Sequence, residues 1–159
     1  MSDEDISSHR VFIGLGSNLG DRHGCMRAAL ELLDEHPQIT LEKHTDFVET
    51  EPWGVRDQPV FLNAVVCITT TVEPHALLAE LKRIEKKLGR VERDQKWGPR
   101  EIDLDILLFG DLVIQTENLV IPHAQLTKRP FVLGQLLEIE ENTVHPVHRV
   151  PLRSFLDSD

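Results

Sequence analysis

The spacing of apolar residues along the chain predicts three helices. In the first of them, Met26, Leu30 and Leu33 recur at helical spacing and form one apolar stripe. In the second, Pro74 suits the first turn and Gly89 the residue after the last turn, which are the positions that proline and glycine favour. The predicted helices span residues 22–35, 74–88 and about 130–139.

Apolar alternation and β-branched composition predict strands between these helices. Residues 60–70 give the strongest signal because they are rich in valine, isoleucine and threonine. The other predicted strands span residues 10–15, 39–49 and 103–109, with short strands around Val113 and Val120.

The order of these elements predicts the fold class. Strand, helix, strand, strand, helix and strand follow one another before a C-terminal extension, which is typical of an α+β ferredoxin-like (βαββαβ) sandwich. In that fold the helices lie on one face of a mostly antiparallel sheet, and we expect the other face to be open to a ligand. Residues 1–9 are acidic and polar and predict a loose tail, so we expect residues 10–159 to form a single domain. Two connections, residues 50–59 and 89–102, are longer than simple turns and are typical of functional loops.

Composition and charge narrow the class of protein. The chain has 27 acidic and 17 basic residues and a formal net charge of -10, which argues against general binding to nucleic acid or anionic membranes. The sequence contains neither a long apolar run nor the basic and apolar start of a signal peptide. Cys25 and Cys67 are too few for a disulfide framework or a zinc site. We therefore expect a cytoplasmic protein with no nucleic-acid or membrane partner, acting as a monomer, although the sequence leaves an oligomer open.

The basic residues are concentrated in one segment. Eight of the 17 lysine and arginine residues lie between positions 82 and 100. A cluster of cations in an acidic protein is typical of a site for a small polyanion, and the alternative is a solvated helix face. The alternative suits residues 82–87 but not residues 90–100, where the helical pattern has ended.

Two aspartates in the predicted strand over residues 103–109 are candidate metal ligands. Asp103 and Asp105 stand two positions apart, so their side chains lie on the same face of the strand. We expect Leu104, Ile106 and Leu108 to occupy the opposite face and pack under the helices. Two like charges at this spacing repel one another, and a bound Mg²⁺ ion would relieve that repulsion. The alternative is a pair of solvated carboxylates, and the spacing alone does not decide between them.

The segment that precedes the two aspartates favours a nucleotide site. Residues 96–100 read Lys-Trp-Gly-Pro-Arg, which places two cations and an aromatic ring next to the acidic pair. Arginine can bind phosphate through two hydrogen bonds, and tryptophan can stack on a base. Arg90, His123 and Arg129 are candidates for further phosphate contacts. Together these residues predict a site for ATP and Mg²⁺.

Several motifs in order resemble one enzyme family. Residues 97–109 read Trp-Gly-Pro-Arg-x-x-Asp-x-Asp-Ile-Leu-Leu-Phe, which resembles the motif of the 6-hydroxymethyl-7,8-dihydropterin pyrophosphokinases of folate biosynthesis. The resemblance covers about residues 11–139. The other segments that carry it are Gly-Leu-Gly-Ser-Asn-Leu-Gly at 14–20, Thr-Glu-Pro-Trp-Gly at 50–54, Phe-Leu-Asn-Ala at 61–64 and Ile-Pro-His at 121–123.

The resemblance implies a reaction and its catalytic residues. Enzymes of this family transfer pyrophosphate from ATP to the hydroxymethyl group of the pterin and release AMP. Asp103 and Asp105 would hold two Mg²⁺ ions, and Arg90 and Arg100 would stabilise the transferring phosphates. The transfer needs alignment and charge neutralisation more than covalent chemistry.

The resemblance also implies which residues bind each substrate. Phe61 and Phe131 would enclose the pterin ring between them, and Asn63 would hydrogen-bond its edge. The implied pterin-binding residues are Thr50, Pro52, Trp53, Gly54, Phe61, Asn63 and Phe131. The implied ATP-binding residues are Lys82, Glu85, Arg90, Trp97, Arg100, Ile106, His123 and Arg129.

Three other interpretations fit the sequence less well. The glycines at 14–20 resemble a dinucleotide-binding motif, but Leu19 stands where that motif requires glycine. A ferredoxin-like module that only senses a nucleotide would share the fold, yet it has little need of a metal pair beside clustered arginines. A magnesium-dependent nuclease would use paired carboxylates, but the net charge argues against it.

Overall fold

The computed structural model of the protein describes residues 8–50, 60–89 and 101–156. The strands are β1 (His9–Ser17), β2 (Ile39–His44), β3 (Val48–Thr50), β4 (Phe61–Thr70), β5 (Asp103–Phe109), β6 (Ile114–Gln115) and β7 (Val120–Ile121). The α-helices are α1 (Arg22–Glu35), α2 (Pro74–Lys87) and α3 (Pro130–Ile139), and short 3-10 helices span Leu126–Lys128 and Leu152–Phe155. Strand β1 therefore begins inside the segment predicted to be a tail.

Five of these strands form one antiparallel sheet. Its order is β2-β4-β1-β5, and β3 pairs with the first residues of β4. The small β6 and β7 strands pair separately. Strand β1 lies at the centre, in register with β4 from the His9–Thr70 pair to the Ser17–Leu62 pair. This is the sheet of a ferredoxin-like sandwich, so the fold class predicted from the element order is confirmed.

Local residues mark the start of α1 and the end of α2. The Asp21 carboxylate accepts a hydrogen bond from the backbone N–H of Gly24 at 3.0 Å, which caps α1. Gly20 before it has φ +67, and Gly89 after α2 has φ +95, so both adopt the left-handed backbone that favours glycine.

No helix in the described parts of the chain is long and apolar enough to span a membrane.

The strand predicted over residues 39–49 is divided into β2 and β3. Between them the backbone N–H of Thr45 donates to the Val65 carbonyl at 2.9 Å, and the Thr45 hydroxyl accepts from the Val65 N–H at 3.0 Å. His44 pairs with Val66 and Val48 with Asn63. Residues 45–47 therefore lie opposite only two residues of β4, 64 and 65, and the register shifts there. At this irregularity the Thr45 side chain supplies a hydrogen bond in place of the regular backbone ladder.

The two faces of the sheet are covered by different helices. Helices α1 and α2 cover one face, as predicted, and the residues buried there include Val11, Ile13, Met26, Leu33, Leu77, Leu81 and Ile84. Helix α3 packs on the opposite face, which the sequence interpretation had left open. Phe12, Val65 and Cys67 make part of that face apolar, so Leu133 and Leu136 of α3 exclude water from it. Only the part of this face that α3 does not cover remains for a ligand.

A bulge in β5 corrects one prediction about its side chains. Phe12 pairs with Leu108 and Ile13 with Ile106, so Leu107 is the extra residue. Leu104 and Ile106 pack under α1 and α2 as predicted, whereas Leu108 lies in the α3 core. The prediction that Leu108 shares their face was wrong, because the bulge reverses the alternation after Leu107.

Glu85 joins α2 to β5 beneath the aspartate pair. Its side chain is buried, and its Oε2 atom accepts a hydrogen bond from the backbone N–H of Leu104 at 2.8 Å. Lys82 lies nearby, with its Nζ 3.6 Å from Glu85 Oε1. The contact fixes the position in β5 that lies between Asp103 and Asp105.

Replacing Glu85 by alanine is expected to destabilise the protein by about 1–3 kcal/mol, because the buried Leu104 N–H would lose its acceptor. Urea unfolding monitored by circular dichroism measures this change. The matched control is Glu80→Ala on the same helix, since Glu80 pairs with the exposed Arg83. Equal losses in the two variants would contradict a special role for Glu85.

Candidate active site

Two sets of polar side chains face one another across glycines in the middle of the sheet. On β5, Asp105 pairs with Gly14 and Asp103 pairs with Gly16 of β1. On the other side of β1, Gly16 pairs with Asn63 of β4. Neighbouring strands are about 4.8 Å apart, so β5 and β4 are separated by roughly 10 Å. The glycines leave the space between Asp103 and Asn63 free of side chains.

A cavity opens over this floor, between β4, β5 and α3. It is lined by Gly14, Leu15, Gly16, Thr50, Phe61, Asn63, Ala64, Asp103, Asp105, Leu107, Arg129, Phe131, Val132 and Gln135. The cavity is therefore acidic at the β5 side and aromatic where Phe61 and Phe131 line it.

The carboxylates of Asp103 and Asp105 share one face, as the spacing predicted. Burial, and after it the negative charge of Asp103, raises the pKa of Asp105 well above its usual range. The positive charge of Arg129 opposes this rise. The Asp105 side chain still retains about a third of its accessible surface (34%). The pair thus resists carrying two negative charges, although it remains open to the cavity.

Arg129 is a described cation whose positive charge acts on this pair. It precedes α3 and lines the cavity. Burial lowers the pKa of its guanidinium, while the charges of Asp105 and Asp103 raise it. Because the ordinary pKa of arginine lies far above neutral, the group stays charged at neutral pH. A fixed positive charge therefore stands beside the acidic pair.

His123 is a neutral hydrogen-bond donor next to Asp105. Burial, and then the charge of Arg129, lowers its pKa to about 4. The backbone N–H of Gln125 donates to its Nδ1 atom at 3.0 Å, so the ring proton is assigned to Nε2. Nε2 lies 3.9 Å from Asp105 Oδ2. The ring can therefore donate to an oxygen in this region without adding charge.

The other side of the cavity suits a flat polar ring. Phe61 and Asn63 lie on the same face of β4, as their spacing predicted, and Phe131 lines the cavity from α3. The Asn63 Nδ2 group donates to the Thr50 hydroxyl across the β3–β4 pair. This contact fixes the amide beside the two aromatic rings.

The structure unites some of the predicted site residues and separates others. One cavity is lined by seven of them: Thr50, Phe61, Asn63, Asp103, Asp105, Arg129 and Phe131. Lys82, Glu85 and Ile106 do not line it: Lys82 and Glu85 are on α2, and the Ile106 side chain is buried in the core beneath α1 and α2. Six predicted site residues lie outside the described residues, so their roles stay predictions: Pro52, Trp53, Gly54, Arg90, Trp97 and Arg100.

The sequence interpretation missed several residues that form the cavity. Gly14 and Gly16 are not among the predicted site residues, yet they lie within β1 and form the cavity floor. Their two-residue spacing was a usable signal, since it matches that of the aspartates. Leu107 continues the two-residue alternation of Asp103 and Asp105, so the same signal applies to it. Gln135 could not have been found in this way, because a helix on the opposite face brings it there.

The donor set of the acidic pair suits Mg²⁺. Magnesium is usually held by one or two carboxylates together with phosphate oxygens and water. Asp103 and Asp105 supply two carboxylates, and the described residues contain no group of three or more histidine, cysteine, aspartate or glutamate side chains arranged for a metal. Burial and the charge of Asp103 raise the pKa of Asp105, and a further positive charge would oppose both effects and stabilise the ionised pair.

The family resemblance implies a pterin in this cavity, and replacing Gly16 by alanine is then expected to weaken pterin binding about 3- to 30-fold, the range of one impaired hydrogen bond. The added methyl group would stand 3.0 Å from Asn63 Oδ1 and 3.6 Å from Phe61 Cδ1, so the amide would have to move. Isothermal titration calorimetry with 6-hydroxymethyl-7,8-dihydropterin measures the affinity. Gly134→Ala adds the same methyl group where no atom lies within 4 Å, and it should leave the affinity unchanged. An unaltered affinity in Gly16→Ala would contradict the position that the resemblance implies for the ring, with its edge at Asn63.

The chain matches a known family over most of its length. The family model of 7,8-dihydro-6-hydroxymethylpterin-pyrophosphokinase (HPPK) matches residues 12–141. The 2-amino-4-hydroxy-6-hydroxymethyldihydropteridine pyrophosphokinase of Aquifex aeolicus is 48% identical over 145 residues, which cover 91% of this chain and 89% of that protein. The protein of the same name from Bacillus subtilis is 47% identical over 129 residues, covering 81% of this chain and 77% of that protein.

Solved structures agree on the fold. The Plasmodium falciparum HPPK-DHPS structure with pteroate aligns with a TM-score of 0.75 at 18% identity, covering 99% of this chain and 43% of that chain. This chain therefore spans less than half the length of that protein. On the match over residues 12–141 and the identities to the two bacterial proteins, the chain belongs to the 7,8-dihydro-6-hydroxymethylpterin-pyrophosphokinase family.

Proposed function

We propose that this chain transfers pyrophosphate from Mg²⁺-bound ATP to 6-hydroxymethyl-7,8-dihydropterin and releases AMP, and that it does so in the cavity between β4, β5 and α3. Pyrophosphate transfer to this pterin is the reaction of the family, a step of folate biosynthesis. The observation that carries the site assignment is the row Asp103–Gly16–Asn63 across three strands. It joins the acidic pair to the proposed ring-binding residues across one uninterrupted floor, which supports the assignment.

Asp103 and Asp105 are the proposed ligands of two Mg²⁺ ions. When bound, Mg²⁺ would neutralise charge on the phosphate oxygens and on the two carboxylates. The strand holds both carboxylates on one face, and the Glu85 contact to Leu104 fixes the backbone between them. The family resemblance supplies the number of ions, and the raised pKa of Asp105 supports a cation at this place.

The other residues bind and orient the substrates. Phe61 and Phe131 enclose the pterin ring, and Asn63 hydrogen-bonds its edge, so that the hydroxymethyl group points towards Asp103. Arg129 and the neutral His123 would contact phosphate oxygens from the side of Asp105. Positioned cations and donors of this kind stabilise the transition state of phosphoryl transfer. Arg90 and Arg100 are proposed to add further positive charge.

Further expectations accompany this proposal. The Thr50–Gly54 segment would contribute pterin contacts, and Lys82, Glu85, Trp97 and Ile106 would lie near the nucleotide. For Ile106 the buried side chain leaves its main chain in β5 as the contacting group. A cytoplasmic location and a monomeric state stay predictions.

Nucleotide analysis tests the proposed reaction. The protein is incubated with ATP, Mg²⁺ and 6-hydroxymethyl-7,8-dihydropterin, and the products are separated by chromatography. We expect AMP to form only when both the pterin and the metal are present, and to disappear with a chelator. Formation of ADP would overturn the pyrophosphoryl transfer, and turnover in the presence of chelator would overturn the metal requirement.

A further inference from the structure

Gln135 is a buried polar residue of the cavity to which the sequence assigned no role. It lies on α3 four residues after Phe131, so the two side chains project from the same face of the helix. Gln135 is only 6% exposed, and its side chain lines the cavity. A glutamine buried beside an aromatic ring needs hydrogen-bond partners for both atoms of its amide.

Only one of these two atoms is satisfied by the described residues. The Nε2 group donates to the backbone carbonyl of Asn63 at 3.1 Å. Because a carbonyl oxygen only accepts hydrogen bonds, the NH₂ group must face Asn63, which fixes the orientation of the amide. The Oε1 atom is then buried and has no hydrogen-bond partner among the described residues. A buried acceptor of this kind is stabilised when a ligand brings a donor.

The chemistry of the pterin determines which of its groups can reach Gln135. In 2-amino-4-hydroxy-6-hydroxymethyldihydropteridine the amino group and the hydroxymethyl group are at opposite ends of the bicyclic ring. The reacting hydroxymethyl group has to point towards Asp103 on β5, so the amino group points away from β5. Asn63 and Gln135 lie on that side, across β1 from the aspartates.

We propose that Gln135 is a specificity-determining residue whose Oε1 atom accepts a hydrogen bond from the 2-amino group of the pterin. This inference rests on the proposed function, since it requires that the pterin occupies the cavity. Asn63 takes part twice: its side chain meets the ring edge, and its carbonyl orients Gln135. The pocket thereby selects a ring that carries an amino donor opposite its hydroxymethyl group.

The test replaces Gln135 by methionine, which keeps the length of the side chain and removes the acceptor. Pterin affinity is measured by calorimetry in the presence of a non-hydrolysable ATP analogue, and kinetics are measured with ATP. We expect Kd and KM for the pterin to rise about 5- to 20-fold, the loss of one hydrogen bond, with kcat and the KM for ATP unchanged. The same measurements use an analogue with a methyl group in place of the 2-amino group. For this analogue the wild-type protein and Gln135→Met should bind equally.

Each alternative outcome has a distinct meaning. A lower Tm of the ligand-free variant together with unchanged pterin affinity would show that Gln135 only holds α3 to β4, and would overturn the inference. A penalty that persists with the methyl analogue would assign the effect to packing, and would also overturn it. Phe131→Ala separates this failure from failure of the proposed site. If Phe131→Ala weakens pterin binding and Gln135→Met does not, only the Gln135 role is wrong; if neither does, the cavity is not the pterin site.

Discussion

Replacing Asp105 by asparagine is expected to lower turnover by about a thousandfold or more, which corresponds to roughly 4 kcal/mol of transition-state stabilisation. Asparagine has the shape of the protonated aspartic acid, the form that burial and the Asp103 charge favour without a metal. The metal-free variant should therefore be as stable as the wild type. It should, however, lose most of the increase in Tm that Mg²⁺ and a non-hydrolysable ATP analogue produce, because a ligand stabilises only the fold that binds it.

Two measurements check this expectation. Thermal unfolding with and without Mg²⁺ and the analogue reports binding, and AMP formation reports turnover. Asp111→Asn makes the same substitution at an exposed position in the turn after β5, and it should behave as the wild type in both. Turnover of Asp105→Asn close to that of Asp111→Asn would remove Asp105 from the proposed metal site. A large fall in Tm of the metal-free variant would contradict the expected stability and assign Asp105 a structural role.

The helices could be predicted from the sequence because their signals are local. Asp21 caps α1 through a contact only three residues away, and Gly89 follows α2 in the left-handed backbone that glycine favours. Pro74 begins α2 where the missing N–H of proline has no consequence. Each of these signals depends on neighbouring residues alone, so the predicted bounds agree with the structure to within one residue.

The irregular parts of the sheet could not be predicted, because they arise between strands distant in sequence. The Leu107 bulge exists only in the register of β5 against β1, and it reverses the side-chain alternation at Leu108. The break between β2 and β3 depends on the Thr45 side chain meeting Val65, which lies 20 residues away. Periodicity in one segment contains no information about the strand that will pair with it.

The site shows the same division. The shared faces of Asp103 with Asp105, and of Phe61 with Asn63, follow from the two-residue period of a strand and are confirmed. The role of Gly16 becomes visible only when the register places it between Asp103 and Asn63. Helix α3 brings Phe131 and Gln135 to the same cavity. Their proximity follows only from the packing of α3 on the sheet face opposite α1 and α2. Local pattern identified the chemical groups, and long-range packing determined which of them meet.

Replacing Arg129 by methionine is expected to lower kcat about 100- to 1,000-fold, the usual effect of removing one positioned group that stabilises transition-state charge. Arg129 lines the cavity, and its charge acts on both aspartates and on His123. The proposed phosphate path lies between these groups, so the loss should appear in kcat rather than in pterin affinity. Binding of Mg²⁺ should persist, because removing a positive charge does not weaken the attraction of the carboxylates for a cation. Steady-state kinetics and calorimetry with the pterin measure the two effects.

The neighbouring Lys128 provides the control for charge alone. Lys128 is exposed, and Lys128→Met removes the same formal charge one residue away, so it should leave kcat within about twofold because exposed charges are strongly screened. Arg129→Lys keeps a positive charge but loses the two parallel donors of the guanidinium, and it should recover only part of the activity. Equal kcat values for Arg129→Met and Lys128→Met would show that Arg129 acts through the general field of the protein. A fall in pterin affinity without a fall in kcat would instead place Arg129 at the ring, because a group that contacts only the phosphates cannot alter the binding of the pterin alone.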